Sequence, residues 1–393
     1  MSRVHTEAER KLFGSSPYVR ATYACGPDDL REVGGKAVGL GSLLRAGQAV
    51  PRSFVVTSSA YRRYLDGRTG SGGLGGELRG LPPELANAVA HAYGVLSDGR
   101  GESPPVAVRS SATVEDSAES SCAGQFRTFL GARGVDQVLE EVERCWMAAR
   151  DPHVDSYRSA RGAADADDAD DADDAVAVVV QELVDASVAG VMFTQHPHTG
   201  DRSLLVIESS YGLGEAVVGG EVTPDLFEVN KVTREIQRRS RGSKAVEHRL
   251  DRDGRAVERR DVDPGRREEW SLDDGRVADL ASMAADLESK IGRGLDMEWA
   301  IGTIRTGGSA ADGATDEGGA ELFALQVRPI TVAAGPGGSG APAAAGGRGA
   351  PPIPRGDAIG TILGHLSGAP SSTDSRANSP DSSANASKGG DRR

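Results

Sequence analysis

VAVRSSATVEDSAESSCAGQFRT, residues Val106 to Thr128, opens as a β-branched run and turns after Arg109 into a segment crowded with Ser, Thr and Gly. A strand-to-loop junction of small residues lets backbone N–H groups and hydroxyls approach a polyphosphate closely. Arg109 adds a permanent charge whose planar donors suit phosphate oxygens. Alone, the segment reads equally as a polar surface loop with one exposed arginine, so the neighbouring stretches have to decide.

Upstream, REVGGKAVGLGSLLRAG (Arg31 to Gly47) places a glycine pair and Lys36 near the start of a helix. Leu40, Leu43 and Leu44 fall at helical spacing there and Gly47 is its stop. Lys36 beside a positive helix end can reach a phosphate, or is an exposed surface lysine. A strand at Phe54 to Thr57 and a helix from Ser58 or Ser59 follow, then the glycine-rich linker Asp66 to Gly80 and a helix over Pro83 to Leu96.

Downstream, Val135, Val138, Leu139, Val142, Cys145 and Trp146 make a helical stripe, most simply core. Three strand candidates come next: AVAVVVQELV, GVMFTQ (Gly190 to Gln195) and LLVIES (Leu204 to Ser209). His196 and His198 in the intervening HPHTGD read as a hairpin turn rather than metal ligands, given Pro197 and Gly200. Tyr211 to Asn230 holds four glycines around Glu215 and ends in a strand; Lys231 to Glu269 reads as charged β-hairpins. A helix fits Leu272 to Ile291. GLDMEWAIG then puts Asp296 and Glu298 on one side of a strand, and LFALQVRP does the same for Gln326 and Arg328. The two strands form a hairpin with a long tip from Thr303 to Ala320.

A chain of 393 residues, 38% hydrophobic and 26% charged, has room for two or three domains. Its longest apolar run, Ala175 to Val180, is too short to span a bilayer, and MSRVHTEAERKLFG has no apolar signal core. Cys25, Cys122 and Cys145 follow no metal or redox spacing and predict reduced thiols in a cytoplasmic protein. Of the net charge of −13, one Asp run supplies seven units, leaving −6. With no basic stripe, neither nucleic acid nor a membrane is expected as a partner. The Asp run predicts a self-repelling acidic loop at 163–175. From Val332 the composition turns to Gly, Ala, Pro and Ser, which predicts a disordered tail over 332–393, except for a short piece at Ala358 to Leu366. The folded domain is therefore expected over 15–331, with its lobes meeting near 98–105.

In this order the blocks VGGKAVGLGSLL, VPRSFVVT, VAVRSSATVEDS with SCAGQFRTFL, VVVQELVDASVAGVMFTQHPHTGD, IESSYGLGEAVVGGEVTPD, DMEWAI and LQVRPIT resemble the N-terminal nucleotide-binding domain of the phosphoenolpyruvate synthase and pyruvate phosphate dikinase family, which rifampin phosphotransferases share. The resemblance runs across roughly residues 30 to 331. It implies an α+β, ATP-grasp fold in which two lobes clamp ATP between antiparallel sheets, with ATP and Mg²⁺ as cofactors. It also implies roles. Lys36 and Arg109 contact the phosphates, Gly124 and Thr128 sit against them, and Gln181 lies beside the adenine. Glu298 and Gln326 hold the metal, and Arg328 is the second phosphate-binding arginine. Lys36, Arg109 and Arg328 would be the catalytic set.

Family enzymes continue into a swivelling domain with a phosphorylated histidine and then a substrate domain. None of the seven histidines here stands in such a context. The expectation is a MgATP-binding phosphotransferase component of a split dikinase-like system, with a separate phosphohistidine carrier protein as partner and a small-molecule acceptor downstream. Two other readings stay open: direct phosphorylation of a small molecule, and a non-catalytic ATP-binding scaffold module.

Overall fold

The computed structural model describes residues 16–69, 80–97, 103–112, 128–149, 176–252, 254, 256–305 and 320–330. Short β-branched runs give two antiparallel sheets. The first has five strands in the order β1-β2-β5-β3-β4: β1 (Val19–Ala21), β2 (Ser53–Val56), β3 (Val106–Ser111), β4 (Thr128–Ala132) and β5 (Ala177–Glu182). The second has six in the order β13-β12-β6-β7-β8-β9: β6 (Val184–Phe193), β7 (Leu204–Tyr211), β8 (Asp225–Asn230), β9 (Ile236–Ser240), β12 (Leu295–Ile304) and β13 (Glu321–Pro329). A separate hairpin pairs β10 (Val246–Leu250) with β11 (Val257–Asp261). The helices are α1 (Leu30–Arg45), α2 (Ser58–Thr69), α3 (Pro83–Ser97), α4 (Val135–Ala148), α5 (Glu215–Val218), α6 (Pro264–Arg267) and α7 (Asp274–Ile291). Mixed helix and antiparallel sheet make this an α+β fold. Among the described residues no helix is long and apolar enough to cross a membrane.

One face of the first sheet (Phe54, Val56, Val106, Val108, Val178, Val180) packs on α3 and α4 through Leu85, Val89, Val138, Val142 and Trp146. α1 belongs to both sheets. Its Val33, Ala37, Leu40 and Leu43 share a cluster with Val55 and Val179 of the first sheet and with Met192, Met297, Trp299 and Val327 of the second. Burying each such aliphatic side chain contributes about 1.5–3 kcal/mol, so α1 is a strong tie between the sheets.

Two glycines make this seat possible. Gly34 has φ +75°, and a Cβ there would lie 2.0 Å from the Ser111 carbonyl oxygen at the end of β3. A Cβ on Gly39 would lie 2.5 Å from the Val327 carbonyl oxygen on β13. The contact at Gly34 is locked by hydrogen bonds: Gly35 N–H donates to the Ala112 carbonyl (3.2 Å), and the Ser111 hydroxyl donates to the Val33 carbonyl (2.8 Å). Gly34→Ala would drive the β3 end away and is the single change best suited to break the seat.

The helices over 58–69, 83–97, 135–148 and 274–291 and the hairpin turn at His196 and His198 stand as the periodicity predicts. Two expectations are corrected. The chain passes from the first sheet to the second at Leu183, between β5 and β6, and not at 98–105, whose described part leads into β3 of the first sheet. The strand expected in AVAVVVQELV stands as β5, whole within that run, whose last residue Val184 opens β6, a ten-residue strand that contains GVMF. A continuous apolar run conceals such a break because both sides are buried. α2 also runs to Thr69, into the expected linker. The acidic loop 163–175, the tail 332–393 with Ala358 to Leu366, and residues 70–79, 98–102 and 306–319 lie outside the described residues.

Candidate active site

β12 and β13 pair antiparallel with Glu298 opposite Gln326 and Asp296 opposite Arg328. Period-two alternation puts all four on one face, and the next strand continues the rows with Val191 opposite Glu298 and Phe193 opposite Asp296. The other face, with Met192, Met297 and Val327, is the core packed on α1 and α7. Strand alternation has separated the chemistry from the packing.

Arg109 on β3 crosses from the first sheet to this face and donates from Nη2 to the Glu298 carboxylate at 2.7 Å. Its register partner on β4 is Thr128, which is exposed. Arg328 donates from Nε to Asp296 at 2.7 Å. Burial pushes the Glu298 carboxyl up, but the Arg109 charge and hydrogen bond, with the charges of Arg328 and Lys36, outweigh it and hold the group below its ordinary value. Lys36, Arg109, Arg328 and Glu298 thus share one electrostatic neighbourhood, although they come from α1, β3, β13 and β12. The seat of α1 on Ser111 and Val327 is what registers the first three against the fourth.

Several polar atoms in this region are buried without a partner among the described residues: Arg109 Nε, Gln326 Oε1 and Gln181 Nε2. Buried groups in folded proteins are normally hydrogen-bonded, and leaving one unmade costs about 1–3 kcal/mol. Gln181 lies near the end of β5, paired between Ser53 and Ala107, two residues before the chain changes sheets. The implied Mg²⁺ can be tested against these atoms. Gln326 offers an orphaned buried oxygen directly across from the Glu298 carboxylate. Hard oxygens side by side suit Mg²⁺, which takes one or two protein ligands and completes its shell with phosphates and water. Among the described residues no group of three or more His, Cys, Asp or Glu side chains could hold a metal alone. The residues fit the ion in its nucleotide-bound form.

The profile described as "Pyruvate phosphate dikinase, AMP/ATP-binding domain" matches residues 77–341. The chain belongs to this family. The matched span contains Arg109, Thr128, Gln181, Glu298, Gln326 and Arg328, and begins after Lys36. Over 343 residues the chain is 36% identical to the probable phosphoenolpyruvate synthase of Methanothermobacter thermautotrophicus, covering 80% of this chain and 46% of that one. It is 37% identical over 314 residues to the prodigiosin synthesizing transferase PigC of Serratia marcescens (77% and 32% covered). With the phosphoenolpyruvate synthase of Escherichia coli the identity is 34% over 362 residues (81% and 42%). The chain spans less than half the length of these relatives. The family's profile is that of an AMP/ATP-binding domain, so adenine nucleotide is the ligand class that membership gives this chain.

The structure therefore brings Lys36, Arg109, Thr128, Glu298, Gln326 and Arg328 of this nucleotide-binding domain into one neighbourhood, with Gln181 at the sheet crossing. Gly124 lies outside the described residues. Sequence reasoning passed over two side chains on the same face. Asp296 was noted on the side of Glu298 but given no role; its position opposite Arg328 follows only from the hairpin register. Glu208 on β7 is fully buried, and neither carboxylate oxygen has a partner. Burial pushes it up to about 7, and the negative charge of Asp296 adds to the rise. Its signal in the sequence was an acid inside the apolar run LLVIES.

Proposed function

We propose that the chain is the MgATP-binding component of a phosphoenolpyruvate synthase-like dikinase system. In this reading it passes a phosphoryl group from ATP to a histidine on a separate carrier protein, which serves a small-molecule acceptor. The two sheets act as the lobes of an ATP-grasp clamp, with the triphosphate held between β3 and the β12–β13 hairpin. The observation that carries the reading is the Arg109–Glu298 contact across the two sheets, at 2.7 Å, beside the orphaned Gln326 oxygen. Phosphoryl transfer asks for little beyond positioning and charge stabilisation. A set with three cations, two hard oxygens and unfilled buried hydrogen-bonding capacity supplies both.

Roles follow from position. Arg109 and Arg328 hold phosphate oxygens with planar donors, and Lys36 adds a point charge from α1. Asp296 steadies Arg328 through its Nε hydrogen bond. Thr128, exposed beside Arg109, meets the phosphates from β4, and Gln181 offers its amide to the adenine edge. Glu298 and Gln326 would hold Mg²⁺, which neutralises charge on the phosphoryl oxygens when bound. The acceptor histidine is placed outside this sequence because none of its seven histidines has the surroundings of a phosphorylated one.

The test is incubation with labelled MgATP, with and without a candidate histidine carrier. Acid-labile label on the carrier is expected, with AMP as product once water or inorganic phosphate takes the second phosphoryl group. Efficient phosphorylation of a small molecule by the chain alone, with ADP as product, would overturn the carrier reading in favour of a direct kinase.

A further inference from the structure

Glu208 belongs to no role described so far, and its surroundings are unusual. It sits on β7 opposite Val191, which in turn is opposite Glu298, so Gln326, Glu298, Val191 and Glu208 form one cross-strand row on the same face. Two strand spacings, about 10 Å, separate it from Glu298. Glu208 has no exposed surface, so an acceptor reaches it only once the segment carrying Ala216, Val217 and Val222 moves aside. Val191, Val206 and Leu226 flank it, and Ala216, Val217 and Val222 of the glycine-rich segment complete that apolar cluster. Among the described residues the charged groups on this face are Asp296 and Glu298 of β12, Arg328 of β13, Arg109 reaching across from β3, and Glu228 of β8, which is paired to Arg238. β10, packed on β7, carries the Glu247–Arg249 pair. Glu215 of α5 is tied to His248. Among the described residues no cation is bonded to the Glu208 carboxylate, and both its oxygens are buried without partners.

We propose that Glu208 receives the proton of the incoming phosphoryl acceptor. The proposal rests on the phosphotransferase reading above and adds a residue to it. The acceptor's nitrogen or oxygen bonds to phosphorus as the bond from phosphorus to the bridging oxygen of ATP breaks. The bridging oxygen leaves with the nucleotide, and the acceptor's N–H or O–H proton passes to a Glu208 carboxylate oxygen. A carboxyl raised by burial to about 7 is matched to that task near neutral pH.

The test uses the full chain and labelled MgATP, first with water as acceptor and then with the histidine carrier. Glu208→Gln keeps the volume and removes the proton-accepting oxygen. Hydrolysis by the variant should fall about a hundredfold or more while nucleotide Kd stays within about twofold. The wild-type rate should rise with pH through neutrality and the variant's should not. Glu208→Asp should restore part of the pH dependence and Glu208→Asn none, a contrast that a packing role would not produce. A readout without turnover is the infrared band of a buried carboxylic acid, lost as pH passes neutrality in the wild type and absent from Glu208→Gln. Wild-type rate and pH profile in Glu208→Gln would overturn the proposal. Glu208-dependent hydrolysis with an unlabelled carrier would keep it and reject the carrier reading. Carrier labelling at the wild-type rate by Glu208→Gln would do the reverse.

Discussion

Lys244 and Asp225 meet at 2.7 Å with no exposed surface on either side chain; Arg109 and Glu298 meet at the same distance with about one-seventh of each exposed. Both acids lie on the six-stranded sheet, and there the likeness ends. Around the first pair, Asp225 also accepts from Gly242 N–H, Ser271 N–H and the Ser271 hydroxyl, and Lys244 donates further to the carbonyls of Gly242 and Arg267. Each polar valence is filled from within the protein. Around the second pair, Arg109 Nε, Gln326 Oε1 and both oxygens of Glu208 are buried and unfilled. A satisfied buried charge cluster fixes a loop; an unsatisfied one holds capacity for a ligand. Under the proposed function, the contrast separates a structural ion pair from a ligand-binding one more sharply than charge or burial does.

The largest effect should come from the satisfied pair. Lys244→Ala leaves Asp225 charged, buried and short of one donor, which costs about 3–5 kcal/mol. Denaturant unfolding should show that loss, while the MgATP affinity of the folded fraction stays near wild type. A loss of affinity at unchanged stability would erase the distinction. Arg109→Ala should behave in the opposite way. Transfer should drop about 10²–10³-fold, roughly 3–4 kcal/mol of barrier, with a smaller loss of ATP affinity because its charge matters most as phosphoryl charge develops. Mg²⁺ should recover part of any stability lost, since Glu298 regains a cation. A variant equally defective in binding and transfer would place Arg109 in ground-state binding alone.

The two clusters also differ in how far the sequence disclosed them. The family resemblance singled out Lys36, Arg109, Glu298, Gln326 and Arg328, while spacing alone placed Asp296 with Glu298, and Gln326 with Arg328, on shared strand faces. The helices with clean apolar stripes were equally readable. The sheet crossing at Leu183 was not, since a run buried on both faces carries no alternation to mark where one strand stops. Asp225 and Lys244 were invisible for a different reason. Their partners, Gly242, Ser271 and Arg267, come together only after β8 and the segment around α6 have packed. Glu208 was visible as an odd letter, but its meaning depends on which face of β7 meets the site.

Acidity offers an intermediate test. The Glu208 carboxyl, raised from 4.5 to about 7, keeps its proton in the folded protein after the unfolded chain has lost it. Stability from this group is therefore full below pH 4.5 and falls as pH rises through about 7, by about 3 kcal/mol at most. Glu208→Gln should be more stable than the wild type at pH 8 and lack that slope. Glu298 has the opposite sign. Its carboxyl is held low in the fold, so its contribution is present above the ordinary carboxylate range and lost on acidification. Unfolding curves from pH 4 to 8 on Glu208→Gln and Glu298→Gln should slope apart; parallel curves would mean that the two acids share one environment.

The smallest expected effect belongs to Asp296→Asn, and it sharpens the boundary of the unsatisfied cluster. Asp296 accepts from Arg328 Nε, but Arg328 is about one-third exposed, so water screens the pair and stability should change by about 1 kcal/mol or less. Asparagine keeps a carbonyl oxygen for the same hydrogen bond, so Arg328 should stay in place and KM for MgATP should rise only several-fold, about 1 kcal/mol of binding. What the substitution removes is a negative charge facing Glu208. Because that charge helps hold the Glu208 proton, its loss should move the Glu208 midpoint below about 7, in the infrared titration and in the pH profile of hydrolysis alike. An unchanged midpoint would show that burial alone sets the Glu208 proton affinity and that the carboxyls on β7 and β12 are electrostatically independent. A downward shift shared by both readouts would tie Asp296, Arg328 and Glu208 into one field across the face of the sheet, the field in which an acceptor's proton would have to move.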